Sequence, residues 1–419
     1  MKSTSSSKTL TVKQNMVWNM AGSAIGLGCQ WAISILVVRL APDLTSAGLY
    51  SLAMSVYGIF SPIAQFGMYT YLITDMKNQN SIGEYVTLAV GTSSAALVLT
   101  FGYALMTCRP NSWAVIFAFA LYKGIASVID ILHAADQKSH RMDYIGISLG
   151  LQGALCLTSF AVVYLLTANI TYAVTSMAAC TLLIGLLYDL PRTKLLHTIH
   201  LGIGSKKAFA ILSACALIVL SSVASGAFAS LPRQILSQEL GDSALGIYAS
   251  IATPVAIIQV GSTYIYNPLI GYFAESYHAG DRYRFQQLVN MTVLGIIGIG
   301  AISLLGASLA AQPLLNLLYG SEVASHSSIM LPLILSSVLL GATGFLSNLL
   351  VAVRALRIMI LGSIASLVVV FASSAQLISL FGMNGATFAL IAGCTASTCI
   401  SCAGIFMQTH ARFSRNHHE

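Results

Sequence analysis

The chain has 419 residues, of which 56% are hydrophobic and only 8% are charged, and its formal net charge at pH 7 is +7. Soluble domains usually contain about 25% charged residues, so the composition excludes an ordinary soluble protein. In a soluble chain this positive charge would suggest nucleic acid. In a chain this apolar it reports membrane orientation instead, and no nucleic-acid partner is predicted.

Apolar runs follow one another along the whole chain. Those at 16–40, 47–73 and 358–378 can each cross a bilayer core of about 30 Å, which takes roughly 20 helical residues. They do not alternate apolar and polar residues, as the strands of a membrane β-barrel do. The predicted spans are 16–40, 47–73, 83–107, 112–134, 144–166, 168–189, 208–231, 243–272, 288–310, 328–350, 358–378 and 382–408. The sequence therefore predicts an all-α polytopic membrane protein with about 12 transmembrane helices.

Lysine and arginine residues are distributed unevenly between the two sides of these spans. Sixteen lie in the N-terminal tail, the even-numbered connections and the C-terminal tail. Three, Arg39, Arg109 and Arg233, lie on the opposite side, and Lys123 lies inside a span. Because basic residues are retained in the cytoplasm, we predict a multi-pass protein of the cell (inner or plasma) membrane with both termini cytoplasmic.

The longest predicted connection, residues 190–207, lies between spans six and seven. Leu195, Leu196 and Ile199 fall on one face of this segment if it is helical, which favours an amphipathic piece in the membrane interface.

The same connection separates two sets of six spans, so we predict two six-helix lobes at 1–195 and 196–419. Because six is even, both halves enter the membrane from the same side, as parallel repeats do. Similar motifs open spans two and eight, Gly48-Leu-Tyr50 and Gly246-Ile-Tyr248.

Lys123 is the clearest candidate for a functional residue. If Trp113 marks the outer end of span four, Lys123 lies ten residues, or about 15 Å, into the membrane. A lysine at that depth costs roughly 2.5–3.5 kcal/mol and needs a partner or water. Ser127 and Asp130 follow on or near the same helical face, so span four is predicted to turn a polar face toward a cavity. The alternative is a structural lysine bonded to carbonyl groups of a neighbouring helix.

Three further residues are candidates for coupling or gating. Asp130 is either a protonatable coupling residue or a capping residue in the headgroup region. Pro62 and Pro254 lie in the corresponding spans two and eight, where kinked helices mark a transport pathway, although proline is also common in membrane helices. His133, near the predicted cytoplasmic end of span four, is interpreted as an interface residue and not as a proton relay.

The remaining candidates are polar groups that could contact a substrate. Arg39 and Arg233 are either snorkelling anchors or an outer ring that attracts phosphate. Asn19, Gln65 and Gln259 could bind sugar hydroxyls, although hydrogen bonds between helices explain them equally well.

Chemistry with a metal or a cofactor is not indicated. The eight cysteines lie in or beside apolar runs and are interpreted as buried thiols. The nine histidines form no metal-ligand pattern, and no glycine-rich phosphate loop is present, so we predict no metal, no cofactor and no catalytic residues.

Several segments together resemble the polysaccharide flippases of the multidrug/oligosaccharidyl-lipid/polysaccharide exporter superfamily. Those segments are 15–19, 39–53, 136–144, 230–251 and 259–269, which contain the two repeated motifs. The resemblance implies two six-helix lobes around a central cavity whose cations hold an anionic pyrophosphate, and Lys123 is one such cation.

The resemblance also implies the activity. A flippase of this kind translocates isoprenoid-pyrophosphate-linked oligosaccharide units from the cytoplasmic to the outer leaflet by alternating access, for O-antigen, capsule or teichoic-acid type polymers. Its expected partners are the lipid-linked oligosaccharide, the bilayer and other polysaccharide-assembly membrane proteins. The alternatives are a cation-coupled multidrug exporter of the same fold and a membrane-embedded polymerase or ligase. The short outer connections near 232–242 and 311–327 disfavour the enzyme.

Overall fold

A computed structural model describes residues 11–74 and 80–415, and within these ranges it contains helices and no strand. In chain order the α-helices are α1 (Val12–Leu40), α2 (Thr45–Gln65), α3 (Met68–Thr74), α4 (Ile82–Thr107), α5 (Pro110–Lys138), α6 (Met142–Thr167), α7 (Ile170–Ile184), α8 (Leu190–Leu196), α9 (Ser205–Leu240), α10 (Asp242–Tyr266), α11 (Ile270–Ala279), α12 (Arg282–Tyr319), α13 (Ser321–Ala324), α14 (Met330–Ala352), α15 (Leu356–Phe381) and α16 (Met383–Arg415). A π-helical turn, Gly185–Asp189, joins α7 to α8, and 3-10 turns lie at Asn267–Leu269 and Ser327–Ile329.

The predicted all-α membrane fold with about 12 spans is confirmed. Among the described residues, 11 helical segments are long and apolar enough to cross a membrane, and the bent pair Ser205–Ala216 and Val219–Leu240 makes a twelfth. The helices extend past the predicted apolar runs, as when 288–310 becomes Arg282–Tyr319, because a helix does not end where the hydrocarbon ends.

The connection at 190–207 differs from its prediction. Residues 190–196 are not a separate interfacial piece, since α8 continues span six through the π-turn to give one segment, Ile170–Leu196. Ile199 packs against a buried cluster that contains Met68 and Tyr85, whereas Leu195 is exposed, so these two residues do not share one surface.

Two compact units are distinguished by their internal packing. The first comprises Met1–Ala41 and Val56–Val223, and the second comprises Pro42–Ser55 and Ala224–Glu419. Helix α2 therefore begins in the second unit and ends in the first.

In the first unit, α5 packs against α3, α4, α6 and α7, and α1 packs along α6. The α1–α6 contact depends on small residues, because a Cβ atom on Gly22 would lie 2.4 Å from the Cα atom of Gly146. Small residues let membrane helices approach closely enough for their backbones to touch. This contact fixes Asn19, one turn before Gly22, beside α5 and α6.

In the second unit, α14 packs against α10, α12 and α16. Its core is aromatic, with the rings of Phe273 and Phe345 5.6 Å apart and those of Phe273 and Phe285 6.1 Å apart. Leu349 and Leu350 on α14 are buried in the same cluster. Helix α14 is thus the central helix of this unit, with α12 and α16 on its flanks.

Candidate functional site

A polar cavity of about 440 Å³ lies inside the first unit. Five helices line it: α1 with Asn19 and Ser23, the end of α2 with Gln65, the start of α3 with Tyr69 and Thr70, α5 with Ser127, Asp130, Ile131 and His133, and α6 with Ile145 and Leu149. Three residues predicted from the sequence therefore line the same cavity, namely Asn19, Gln65 and Asp130.

The break between α2 and α3 lies beside this polar cavity. Pro62 lies inside α2, and its carbonyl oxygen accepts a 2.9 Å hydrogen bond from the Phe66 amide. Phe66 and Gly67 then adopt positive φ angles of 46° and 66°, which an α-helix cannot contain. The α-helix is interrupted at this point, and Gln65, the last residue of α2, is exposed and lines the cavity.

Helix α5 presents Ser127 and Asp130 to the polar cavity, and Lys123 lies one turn earlier on the same helix. The Ser127 hydroxyl donates a 3.0 Å hydrogen bond to the Lys123 carbonyl. The Lys123 ammonium lies 5.0 Å from the Tyr122 ring centroid and 6.0 Å from that of Phe119. In the described part of the chain, no carboxylate lies within ion-pair distance of this ammonium. Its charge is stabilised by aromatic faces, which leaves it able to attract an anion.

Next to Asp130, three ionisable side chains form a buried acid–histidine cluster: His133, Asp136 and Asp189. Their residues are 3%, 0% and 2% exposed. His133 Nε2 lies 3.2 Å from Asp189 Oδ1, and His133 Nδ1 lies 3.9 Å from Asp130 Oδ1. The interpretation of His133 as an interface residue was therefore wrong. The π-turn brings the Asp189 carboxylate inward, and α5 carries His133 to meet it.

The two carboxylates of this cluster are incompletely hydrogen-bonded. The Thr193 hydroxyl donates to Asp136 Oδ2 over 3.3 Å. Within the described ranges, Asp136 Oδ1 and Asp189 Oδ2 are buried without a hydrogen-bond partner. An unpaired buried carboxylate oxygen is costly, and binding a proton reduces that cost. The cluster is thus suited to proton exchange, and Asp130, which is 45% exposed, connects it to the polar cavity.

A metal centre is not formed by these groups. Among residues 11–74 and 80–415, no set of three or more His, Cys, Asp or Glu side chains has a geometry that could hold a metal ion.

At the start of α6, Arg141 and Asp143 form a bidentate pair with distances of 2.9 and 2.8 Å. This pairing raises the pKa of Arg141. The Arg141 guanidinium lies 3.9 Å from the Tyr144 ring centroid, and Arg192 lies 5.5 Å from the same ring. These contacts fix the tight α5–α6 turn, whose sequence is part of the resemblance described above.

Four of the predicted residues lie elsewhere. Arg39 is exposed in the last turn of α1, 20 residues and about 30 Å along the helix from Asn19. Arg233, Pro254 and Gln259 belong to the second unit. Pro254 lines a cavity of about 330 Å³ there, Gln259 is exposed on α10, and the Arg233 Nε atom is buried without a hydrogen-bond partner among the described residues.

Several residues of the site were not among the predicted site residues, namely Ser23, Tyr69, Thr70, His133 and Asp189. One signal was available for Asp189, which is an acidic residue at the end of a predicted span, where ionisable groups are rare. The Tyr69 hydroxyl donates to Gln137 Oε1, a contact between α3 and α5 that no local pattern predicts.

No protein-family model matches this chain. It is 22% identical over 342 residues, 79% of its length, to the capsular polysaccharide biosynthesis protein CapF of Staphylococcus aureus, of which 84% is covered.

Solved structures of membrane transporters are also similar. One is an inward-facing MATE-family multidrug transporter of the MOP superfamily, with a TM-score of 0.70, 12% identity and coverage of 95% of this chain and 98% of that one. Another is the lipid II flippase MurJ in an inward closed conformation, with a TM-score of 0.66, 10% identity and coverage of 94% and 91%. A Vibrio cholerae MATE transporter, VcmN, has a TM-score of 0.61, 13% identity and 95% coverage of both chains.

Proposed function

We propose that this chain, which has the fold of the MOP superfamily, is a flippase for isoprenoid-pyrophosphate-linked oligosaccharides in cell-surface polysaccharide biosynthesis. The observation that carries the choice of substrate is the similarity to CapF, a protein named for capsular polysaccharide biosynthesis, over most of both chains. The same fold occurs in multidrug transporters and in a lipid II flippase, so the fold alone does not select the substrate.

The polar cavity supports a sugar-bearing substrate. Its lining supplies amides from Asn19 and Gln65 and hydroxyls from Ser23, Tyr69 and Ser127. Such groups donate and accept hydrogen bonds as sugar hydroxyls require.

We assign the pyrophosphate to Lys123, one turn from this lining, because its ammonium has aromatic neighbours and no carboxylate within ion-pair distance in the described ranges. Asn19, Gln65 and Gln259 are assigned to the sugar, and Arg39 and Arg233 to the phosphate as it leaves. Asp130 is assigned to coupling, and Pro62 and Pro254 to the movement of their helices during alternating access.

A cation-coupled multidrug exporter is the second candidate. The observation that favours it is the buried acid–histidine cluster beside Asp130, because proton exchange at such a cluster could drive export. A flippase could use the same cluster, so the cluster identifies a coupling mechanism better than it identifies a cargo.

The two candidates differ in what accumulates when the protein is absent. In a strain that lacks it, lipid-linked oligosaccharide should accumulate on the cytoplasmic face, and the intact gene should reverse this. Drug susceptibility of the same strain, measured in parallel, should not change. Normal surface polysaccharide with increased drug susceptibility would contradict the flippase and support the exporter.

A further inference from the structure

The second unit contains a groove to which the proposed function has assigned no role. It has a volume of about 400 Å³ and lies between α12 and α16, with α14 as its floor. The floor and the wall formed by α16 are mainly apolar, with Phe345 and Leu349 on α14 and Ile405 and Phe406 on α16. The groove is at the low end of the roughly 300–1,000 Å³ range of small-molecule pockets, so it fits one chain and not two.

One wall of the groove is polar. Arg282, Gln286 and Asn290 on α12 all line it. They are four residues apart, so they form a row on one helical face about 12 Å long. Within the described ranges, none of the three side chains makes a hydrogen bond or an ion pair.

The nearby Arg284, in contrast to Arg282, has both an acidic and an aromatic neighbour. Its guanidinium lies 4.0 Å from the Glu275 carboxylate and 5.9 Å from the Tyr272 ring centroid. Arg282, two residues earlier, has neither kind of contact among the described residues. The groove therefore has an uncompensated cation at its mouth and amides below it, which is the complement of an anion and not of a neutral or cationic molecule.

The position of this row along α12 matches the depth of a lipid phosphate. The apolar run in α12 begins at about residue 288, six residues or about 9 Å after Arg282. Arg282 and Gln286 thus lie at headgroup level, while Val293 and Phe406 lie beside hydrocarbon and are 39% and 69% exposed. An occupant needs a phosphate at the first level and a single apolar chain at the second.

We propose that this groove binds the isoprenoid pyrophosphate end of the lipid-linked substrate, with the pyrophosphate along Arg282, Gln286 and Asn290 and the chain against Val293 and Phe406. This inference rests on the proposed flippase function. A two-chain phospholipid fits less well, because the groove has room for one chain and its polar row is longer than one phosphate requires. The groove captures the carrier lipid on the leaflet that we predict to be cytoplasmic, before the sugar reaches the polar cavity.

The test is a binding titration by native mass spectrometry on the purified full chain in detergent. The probe is a polyprenyl pyrophosphate without sugar. Comparison ligands are the matching polyprenol, inorganic pyrophosphate and phosphatidylglycerol. Arg282→Gln removes the cation, Arg282→Lys retains it, and Val293→Trp fills the apolar part of the groove. Arg284→Gln is the matched control, since it removes an arginine from the same exposed turn but outside the groove lining.

We expect polyprenyl pyrophosphate to bind wild type and Arg284→Gln equally. Binding should weaken about tenfold or more in Arg282→Gln, because a charge-assisted contact is lost, and should be largely kept in Arg282→Lys. The polyprenol and inorganic pyrophosphate should each bind at least about tenfold more weakly. The polyprenol lacks the pyrophosphate that contacts the polar row, and inorganic pyrophosphate lacks the apolar chain.

Equal binding to Arg282→Gln and wild type would overturn the proposal, as would equal binding of phosphatidylglycerol with the same sensitivity to Arg282→Gln. Because Arg282 is exposed, its replacement should not prevent folding, and the measurement does not depend on Val293→Trp alone. The strain experiment tests the flippase separately. If the strain accumulates substrate but binding does not depend on Arg282, this site is contradicted and the flippase function still stands. If binding depends on Arg282 but the strain accumulates no substrate, the lipid site still stands and the flippase function is contradicted.

Discussion

Gly48 and Gly246 pack reciprocally against each other's helices in the second unit. A Cβ atom on Gly48 would lie 1.7 Å from the carbonyl oxygen of Asp242, and one on Gly246 would lie 2.3 Å from that of Leu44. Each glycine contacts the residue four positions before the other glycine. The two similar sequence motifs thus occupy equivalent positions at the starts of α2 and α10, and neither glycine can carry a side chain without separating the helices.

This contact predicts that Gly48→Ala and Gly246→Ala each lower the melting temperature and the amount of protein in the membrane. Overpacking of this kind typically costs about 1–3 kcal/mol. Gly102→Ala is the control, because Gly102 is also helical but has open space where the Cβ atom would be. Alanine there should be neutral, or stabilising by up to about 1 kcal/mol. The same melting temperature in all three variants would contradict the packing described here.

The His133–Asp189 pair predicts strongly non-additive mutations. Replacing either residue alone with leucine leaves the other buried without its partner, which typically costs about 3–5 kcal/mol. The double variant His133→Leu/Asp189→Leu removes both polar groups, so it should be less destabilised than the sum of the single variants. Thermal unfolding of the four proteins in one detergent checks this. Additive losses would show that the two side chains do not interact.

Lys123 is predicted to act through its charge. Lys123→Met keeps most of the side-chain volume, so it should insert and accumulate normally, yet lipid-linked oligosaccharide should remain on the cytoplasmic face. Lys123→Arg should retain partial transport because it keeps the charge with a different donor geometry. The control is Lys206→Met, since Lys206 is exposed in the first turn of α9. Transport by Lys123→Met at the wild-type rate would make Lys123 structural.

The charge distribution predicts the orientation of the chain. Reporter domains fused after Glu419 or within 190–207 should be active in the cytoplasm, and fusions near Ser237 or Ser325 should be active outside. Alkaline phosphatase and a cytoplasmic reporter, fused in turn at each site, make the measurement. A C-terminal fusion that is active only outside would contradict the prediction of two cytoplasmic termini.

Much of the fold could be predicted because the lengths of the apolar runs determine where the membrane-spanning helices lie. The predicted span at 83–107 became Ile82–Thr107, and that at 144–166 became Met142–Thr167. Broken helices were harder. Pro62 indicated a kink, but the α-helix is interrupted at Phe66 and Gly67, where φ is positive, and no rule of composition would have selected a positive φ at a phenylalanine.

The site was predictable only in part, for a similar reason. The polar face of span four indicated Ser127 and Asp130, because the helical period places them together. His133 and Asp189 are 56 residues apart, and their contact depends on how α7 packs against α5. In a helix that is apolar on most sides, hydropathy does not say which face is buried, so His133 was assigned to the interface.

The π-turn at Gly185–Asp189 amounts to a one-residue insertion in span six. An α-helix advances about 100° per residue, and the wider turn absorbs one residue without lengthening the rest of the helix. Removing one residue there would restore a regular helix and rotate everything after it by about 100°, turning Thr193 away from Asp136. A gap of one position at this point, in the sequence of any relative, would therefore report whether that relative can assemble the buried cluster.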